Sequence, residues 1–206
     1  EAAGRVLELK KQLGLLDGSL PVPPAPIDKA YQAELEKLSN EAVTLVRNRA
    51  GLIPFAPAGY NGAKPTVCAV FFAPPRFADQ LMSFSKPFLE KGWNIRSYNA
   101  AMTPRETDRR RAEACAKGAD LLVVTSLQWA DRTNINQKNL ILSLFKEHPK
   151  NVLISTMSPY DIAAYPSAHT VLATYGINRF VLQTAANIIL GNLKPQGKMP
   201  VELPEE

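Results

Sequence analysis

The side chains of this 206-residue chain with most to offer a ligand are aromatic and acidic residues placed just after apolar runs. Trp129, Asp131 and Arg132 follow the run 120–126, Tyr160 and Asp161 follow 151–156, and Tyr175 with Asn178 follows 168–174. Aromatic faces stack on pyranose rings, and a neighbouring carboxylate accepts hydrogen bonds from sugar hydroxyls. The same residues have a plainer reading: Tyr160 and Tyr175 as half-buried edge residues, and Asp161 as the cap of the next helix. Other chemistries find less support. There is no G-x-S-x-G elbow, and the Ser and His residues form no nucleophilic arrangement. The turn Ala73-Pro74-Pro75-Arg76-Phe77 lacks glycine and contains two prolines without an N–H, the opposite of a phosphate-cradling loop. Asp120 begins its strand-like run, whereas an acidic pocket of the response-regulator type needs carboxylates at strand ends. His148 and His169 have no second His or Cys at ligand spacing, so no metal and no cofactor is expected.

These residues can meet only if the runs before them are parallel strands. Strand-like segments at 66–72, 93–98, 120–126, 151–156 and 168–174 alternate with helical patterns at 76–91, 104–117 and 136–147, a short piece near Asp161, and 177–190. That alternation predicts an α/β fold, a three-layer α/β/α sandwich with a mostly parallel sheet of about five to six strands. Continuously apolar segments such as Leu121-Leu122-Val123-Val124 fit strands buried on both faces. The loops after parallel strands share one edge, where open sheets bind ligands and partners. Pro87 inside a helical pattern predicts a kinked or split element. Ahead of the alternation lie a short strand at 42–48 and a helix carrying Tyr31, Leu35 and Leu38, with Asp28 as its cap. Further upstream, Val6, Leu9 and Leu13 share one side of a short helix, and four prolines between Pro21 and Pro26 form an extended connector. The expected division is 1–18 as the terminal helix of an upstream domain, 19–27 as a Pro-rich linker and 28–206 as the α/β domain.

Lys and Arg number 24 against 19 Asp and Glu, an excess of five positive charges. Only Arg105, Arg109, Arg110 and Arg111 cluster, interleaved with Glu106 and Asp108 as i,i+4 pairs would be, and no aromatic residue lies among them. A nucleic-acid partner is therefore not expected. No apolar run approaches the roughly 18 residues of a membrane span, and the first residues lack an apolar signal region. Cys68 and Cys115, in apolar settings without C-x-x-C spacing, are expected to be reduced and buried.

A family likeness runs through the chain in order. The segment from Gly4-Arg5-Val6-Leu7 to Leu15-Leu16-Asp17 resembles the helix that ends the catalytic barrel of glycoside hydrolase family 3. The run 38–48, followed by Leu52-Ile53-Pro54-Phe55, is similar to the start of that family's second domain. Ser158-Pro159-Tyr160-Asp161-Ile162, Ala173-Thr174-Tyr175-Gly176, Ile189-Leu190-Gly191 and Gly197-Lys198-Met199-Pro200-Val201 resemble its later signposts. The resemblance implies an α/β sandwich partnered by an upstream (β/α)-barrel of the same parent chain, with carbohydrate as a further candidate partner. It implies that the nucleophilic aspartate lies on the barrel. β-Glucosidase-type members draw an acid/base glutamate from the second domain, but the loop 127–137 holds Asp131 as its sole carboxylate and no Glu. That departure is similar to the β-N-acetylglucosaminidase branch, whose proton donor is an Asp/His pair on the barrel. Retaining hydrolysis needs two carboxyl groups about 5 Å apart, and no convincing pair is evident, so no catalytic residue is assigned and this chain alone is expected to be inactive. Trp129, Asp131, Arg132, Tyr160, Asp161 and Tyr175 remain as candidate substrate- or interface-facing residues. The alternatives are a free-standing carbohydrate- or muropeptide-binding module and a β-glucosidase-type second domain. The compartment stays open, with an extracytoplasmic bacterial parent as the expectation.

Overall fold

Among the described residues the β-branched and apolar runs form six strands: β1 (Thr44–Asn48), β2 (Thr66–Phe72), β3 (Asn94–Ala100), β4 (Leu121–Ser126), β5 (Asn151–Ser155) and β6 (Thr170–Ala173). The computed structural model describes residues 2–16, 29–49, 51–57, 63–128 and 134–203. The strands make one sheet in the order β1-β6-β5-β4-β2-β3, parallel throughout except for β1, which runs antiparallel to β6 at the edge. Helices α3 (Ala78–Glu90), α4 (Glu106–Ala116), α5 (Ile135–Glu147) and α6 (Arg179–Leu190) cover it. A 3₁₀ turn, Pro159–Ala164, links β5 to β6.

Successive strand residues point to opposite faces, and this divides the interior into two cores. Val67, Ala69 and Phe71 of β2, with Leu121 and Val123 of β4, pack with Leu81, Phe84 and Phe88 of α3 and with α6. Cys68, Val70 and Phe72, with Leu122 and Val124, pack instead with Ala112 of α4 and with Leu140, Ile141 and Leu144 of α5. The expected three-layer sandwich is therefore present, and the continuously apolar strands are those enclosed on both sides.

Two expectations change. Helix α3 is not split at Pro87 but continues through it to Glu90. Pro87 stands near the end of the helix, so its missing N–H forfeits one bond there, and its ring is buried on the same side as Phe84 and Phe88. Cys68 and Cys115 are not free thiols: they form a disulfide that ties β2 to α4, with Cα atoms 5.6 Å apart. Periodicity locates each cysteine in its own element. It does not show that β2 and α4 face each other through these two positions.

The chain forms two compact units, 1–34 and 35–206. In the first, α1 (Ala2–Gln12) places Val6 and Leu9 on the face expected, each about half exposed. Helix α2 (Lys29–Ala42) ends in the second unit, where Asn40 Oδ1 accepts a hydrogen bond from Thr184 Oγ1 of α6 at 2.6 Å. The connector at 19–27 and the cap at Asp28 lie outside the described residues. Among the described residues no helix is long and apolar enough to cross a membrane.

Candidate functional site

The carboxyl ends of β2 and β4 lie side by side, and their outgoing chains turn to opposite faces of the sheet, β2 toward α3 and β4 toward α5. In open sheets of this kind such a divergence is the place that receives a ligand or partner. At its base Phe72 N donates to Thr125 Oγ1 at 3.0 Å, joining the two strands where their paths separate.

The loop after β4 is fixed at both ends by amide side chains. Gln137, fully buried in the first turns of α5, accepts at Oε1 from Leu127 N at 3.0 Å and from Gln128 Nε2 at 3.2 Å. Its Nε2 donates to the carbonyls of Leu127 and Met102, each at 3.3 Å. Gln128 Oε1 accepts from Asn134 N at 2.8 Å, and Asn134 Oδ1 caps α5 by accepting from Asn136 N and Gln137 N. Trp129, Asp131 and Arg132 belong to the span between these posts and lie outside the described residues.

The next loop separates two adjacent residues by environment. Tyr160 is 53% exposed, whereas Asp161 is 5% exposed and turned inward. Ser126 Oγ donates to Asp161 Oδ2 and Ser155 Oγ to Oδ1, both at 2.6 Å. Burial raises the Asp161 carboxyl to about 6, against the lowering effect of the two hydroxyl donors. Asp161, expected among the substrate- or interface-facing residues, is turned inward in this chain, where the hydroxyls ending two neighbouring strands provide donors that solvent would otherwise supply. It does not act as a helix cap either, since the 3₁₀ turn has no side-chain cap. The phenol of the buried Tyr165 is pushed far up by burial first and by the nearby Asp161 charge second.

Tyr175 adopts a left-handed backbone with φ of 54° and is half-buried. Its hydroxyl donates to Thr44 Oγ1 at 2.9 Å and approaches Met199 Sδ at 3.4 Å, so it braces the start of β1 and the C-terminal segment. Asn178 is the N-cap of α6, accepting from Phe180 N and Val181 N. At the end of β3, Asp108 is also buried, and it accepts from Tyr98 Oη, Ala101 N and Arg105 N. Burial pushes its carboxyl up, but the Arg105 amide, the Tyr98 hydroxyl, the Ala101 amide and the Arg111 charge outweigh this and leave it below its ordinary value. The two buried carboxylates described on this edge, Asp108 and Asp161, are therefore both committed to internal bonds, and the exposed Glu106 in the first turn of α4 is paired with Arg109 and Arg110. Neither aspartate presents the exposed acid or nucleophile of a glycosidase.

Ser126, Ser155 and Gln137 were not singled out by residue type. Their signal is position: each serine is the last residue of a strand buried throughout, and Gln137 shares a helical face with Leu140, Ile141 and Leu144. A groove of about 570 Å³ between α4 and α5 lies toward the opposite edge, lined by Glu113, Lys117, Glu147 and His148. His148 is occupied there by the Ala119 and Lys150 carbonyls, so the convergence of polar groups belongs to the carboxyl edge. Among the described residues no three His, Cys, Asp or Glu side chains gather as metal ligands.

No protein-family model matches the chain. The beta-N-acetylglucosaminidase/beta-glucosidase of Cellulomonas fimi is 24% identical over 98% of this chain, which spans 38% of that relative's length. A solved glycoside hydrolase family 3 β-N-acetylglucosaminidase from Paenibacillus sp. FPU-7 shares the fold with a TM-score of 0.72 at 19% identity, covering 98% of this chain and 38% of its own. The β-glucosidase from Listeria innocua in complex with glucose follows with a TM-score of 0.66 at 16% identity, covering 93% and 30% respectively. The mostly parallel sandwich, the ordered sequence likeness and this nearly complete coverage of the chain converge: the chain has the fold of the α/β domain of glycoside hydrolase family 3 enzymes and is similar to it over nearly its whole length.

Proposed function

We propose that this chain serves as the non-catalytic second domain of a retaining family 3 β-N-acetylglucosaminidase, seated against an upstream catalytic barrel. Its carboxyl-edge loops border the cleft that holds a terminal N-acetylglucosamine. The observation that carries this reading is that nearly the whole chain matches about two fifths of a relative named for that activity. Two further features support it. Asp108 and Asp161 at the carboxyl edge are buried among internal donors, and the loop 127–137 carries Asp131 but no glutamate. Within this reading, residues 1–18 end the barrel and 19–27 lead from it, and Trp129, Asp131, Arg132 and Tyr160 are the residues offered to the cleft.

The test is an assay of the purified 206-residue chain on aryl β-N-acetylglucosaminide and aryl β-glucoside, together with the sequence of the reading frame upstream of Glu1. No turnover and a barrel-encoding frame are expected. Turnover by the chain alone, or a frame without a barrel, overturns the proposal. The half-exposed Tyr160 favours one second reading, a free-standing binder of N-acetylglucosamine-containing fragments. Calorimetry decides it: heat of binding and a raised melting temperature support it, and their absence removes it.

A further inference from the structure

We infer that Asp161 is a positioning residue, a clamp that sets the loop after β4 and the loop after β5 together so that they present a single carbohydrate-facing edge. This rests on the reading of that edge as the one bordering the cleft.

The clamp is defined by register. Ser126 and Ser155 are the last residues of β4 and β5 and stand opposite each other in the ladder. One carboxylate spans the pair, with one oxygen on each hydroxyl at 2.6 Å. Each serine also leads directly into an edge loop. Ser126 precedes Leu127 and Gln128, the post that begins the span 129–133. Ser155 Oγ additionally contacts the Ser158 carbonyl at 3.0 Å, just ahead of Tyr160. Thr156 completes the link by donating from N and Oγ1 to the Ser126 carbonyl, at 3.1 and 2.7 Å. Displacing Asp161 therefore frees both loops at their roots.

A role in stability alone is a poor account of this arrangement. The acid has neutral hydroxyls for partners and pays for burial without a cation in contact, and an apolar group of similar volume costs less at such a position. Buried acids of this kind gather where side-chain placement matters to function. The exposed consequence lies one residue away: Tyr160, half exposed, stands beside Asp161.

Amide hydrogen exchange on the whole chain reads the coupling directly. The probes are Leu127 N, bonded to Gln137, and Asn134 N, bonded to Gln128, for the first loop, and Tyr165 N, bonded to the Ile162 carbonyl, for the second. In Asp161→Ala all three are expected to exchange roughly tenfold faster or more while amides of α6 keep their rates. Asp161→Asn, whose amide can accept from one serine and donate to the other, restores the wild-type pattern. A change in one loop only, an even change across the sheet, or failure of Asn to restore protection overturns the inference. Should the Ala variant not fold, Ser126→Ala removes one of the two bonds. It is expected to quicken Leu127 and Asn134 while sparing Tyr165, and quickening of neither loop overturns the clamp. Exchange involves no sugar, so failure of the clamp is distinct from failure of the cleft reading, which is decided by the assays above.

Discussion

Two buried aspartates on one sheet edge titrate in opposite directions, and hydrogen-bond supply explains the difference. Asp108 receives two backbone amides, a phenol and the field of Arg111, and is held below the ordinary carboxylate value. Asp161 receives two serine hydroxyls, and burial wins, placing it near 6. Because the folded value of Asp161 lies above the unfolded value of 3.8, the folded state binds the proton more tightly. Its contribution favours folding below pH 3.8 and is lost as pH rises through about 6, a change on the order of 3 kcal/mol. Asp161→Asn, which carries no charge to bury, should gain stability relative to the wild type over that interval. Urea unfolding of both proteins at acid and neutral pH measures the gain, and a difference independent of pH would contradict the assignment.

Among the elements, the loop after β4 and the C-terminal segment depend on single residues. Gln137→Leu keeps the size of the side chain but strands the Leu127 amide and the Leu127 carbonyl among buried neighbours. A loss of about 3 kcal/mol is expected in denaturant unfolding, with faster exchange at Leu127. Gly197 lies where the C-terminal segment crosses the start of β1, and its N–H donates to the Val43 carbonyl at 3.2 Å. A Cβ there would come within 2.7 Å of the Ala42 carbonyl carbon and 2.5 Å of Thr44 Oγ1, so the backbones must part. Gly197→Ala should cost about 1 to 3 kcal/mol, whereas Gly4→Ala, which meets nothing within 4 Å, should be neutral or favourable in a thermal melt. The helical pattern over 76–91 is evident in the residues, but its survival through Pro87 is not. That outcome depends on how near the helix end the proline falls and on its ring finding a buried site.

For the whole molecule, the Cys68–Cys115 bridge closes a segment of 47 residues between a central strand and a covering helix. Loop-closure entropy for that length gives about 4 kcal/mol of stabilisation. Reduction, or the double change Cys68→Ala with Cys115→Ala, should lower the melting temperature correspondingly. Protein made in an oxidising compartment should take up no alkylating reagent by intact mass until it is reduced and unfolded. Two alkylated cysteines in the untreated protein would show that the bridge does not form.

The sequence by itself determined what depends on near neighbours: the alternation of strands and helices, the burial of 121–124 on both faces, and the ordered segments that carry the family likeness. These follow from side-chain period and backbone preference over a few residues. Tertiary structure alone decided the pairing of the cysteines, the inward turn of Asp161 beside an outward Tyr160, the bracing role of Tyr175, and the hold of Gln137 on the β4 loop. Each depends on groups far apart in the chain: 35 residues from Ser126 to Asp161, 47 from Cys68 to Cys115, and 131 from Thr44 to Tyr175. A residue's type states which bonds it can make, but only the packing of β4 against β5 and of β2 against α4 brings the partners within reach.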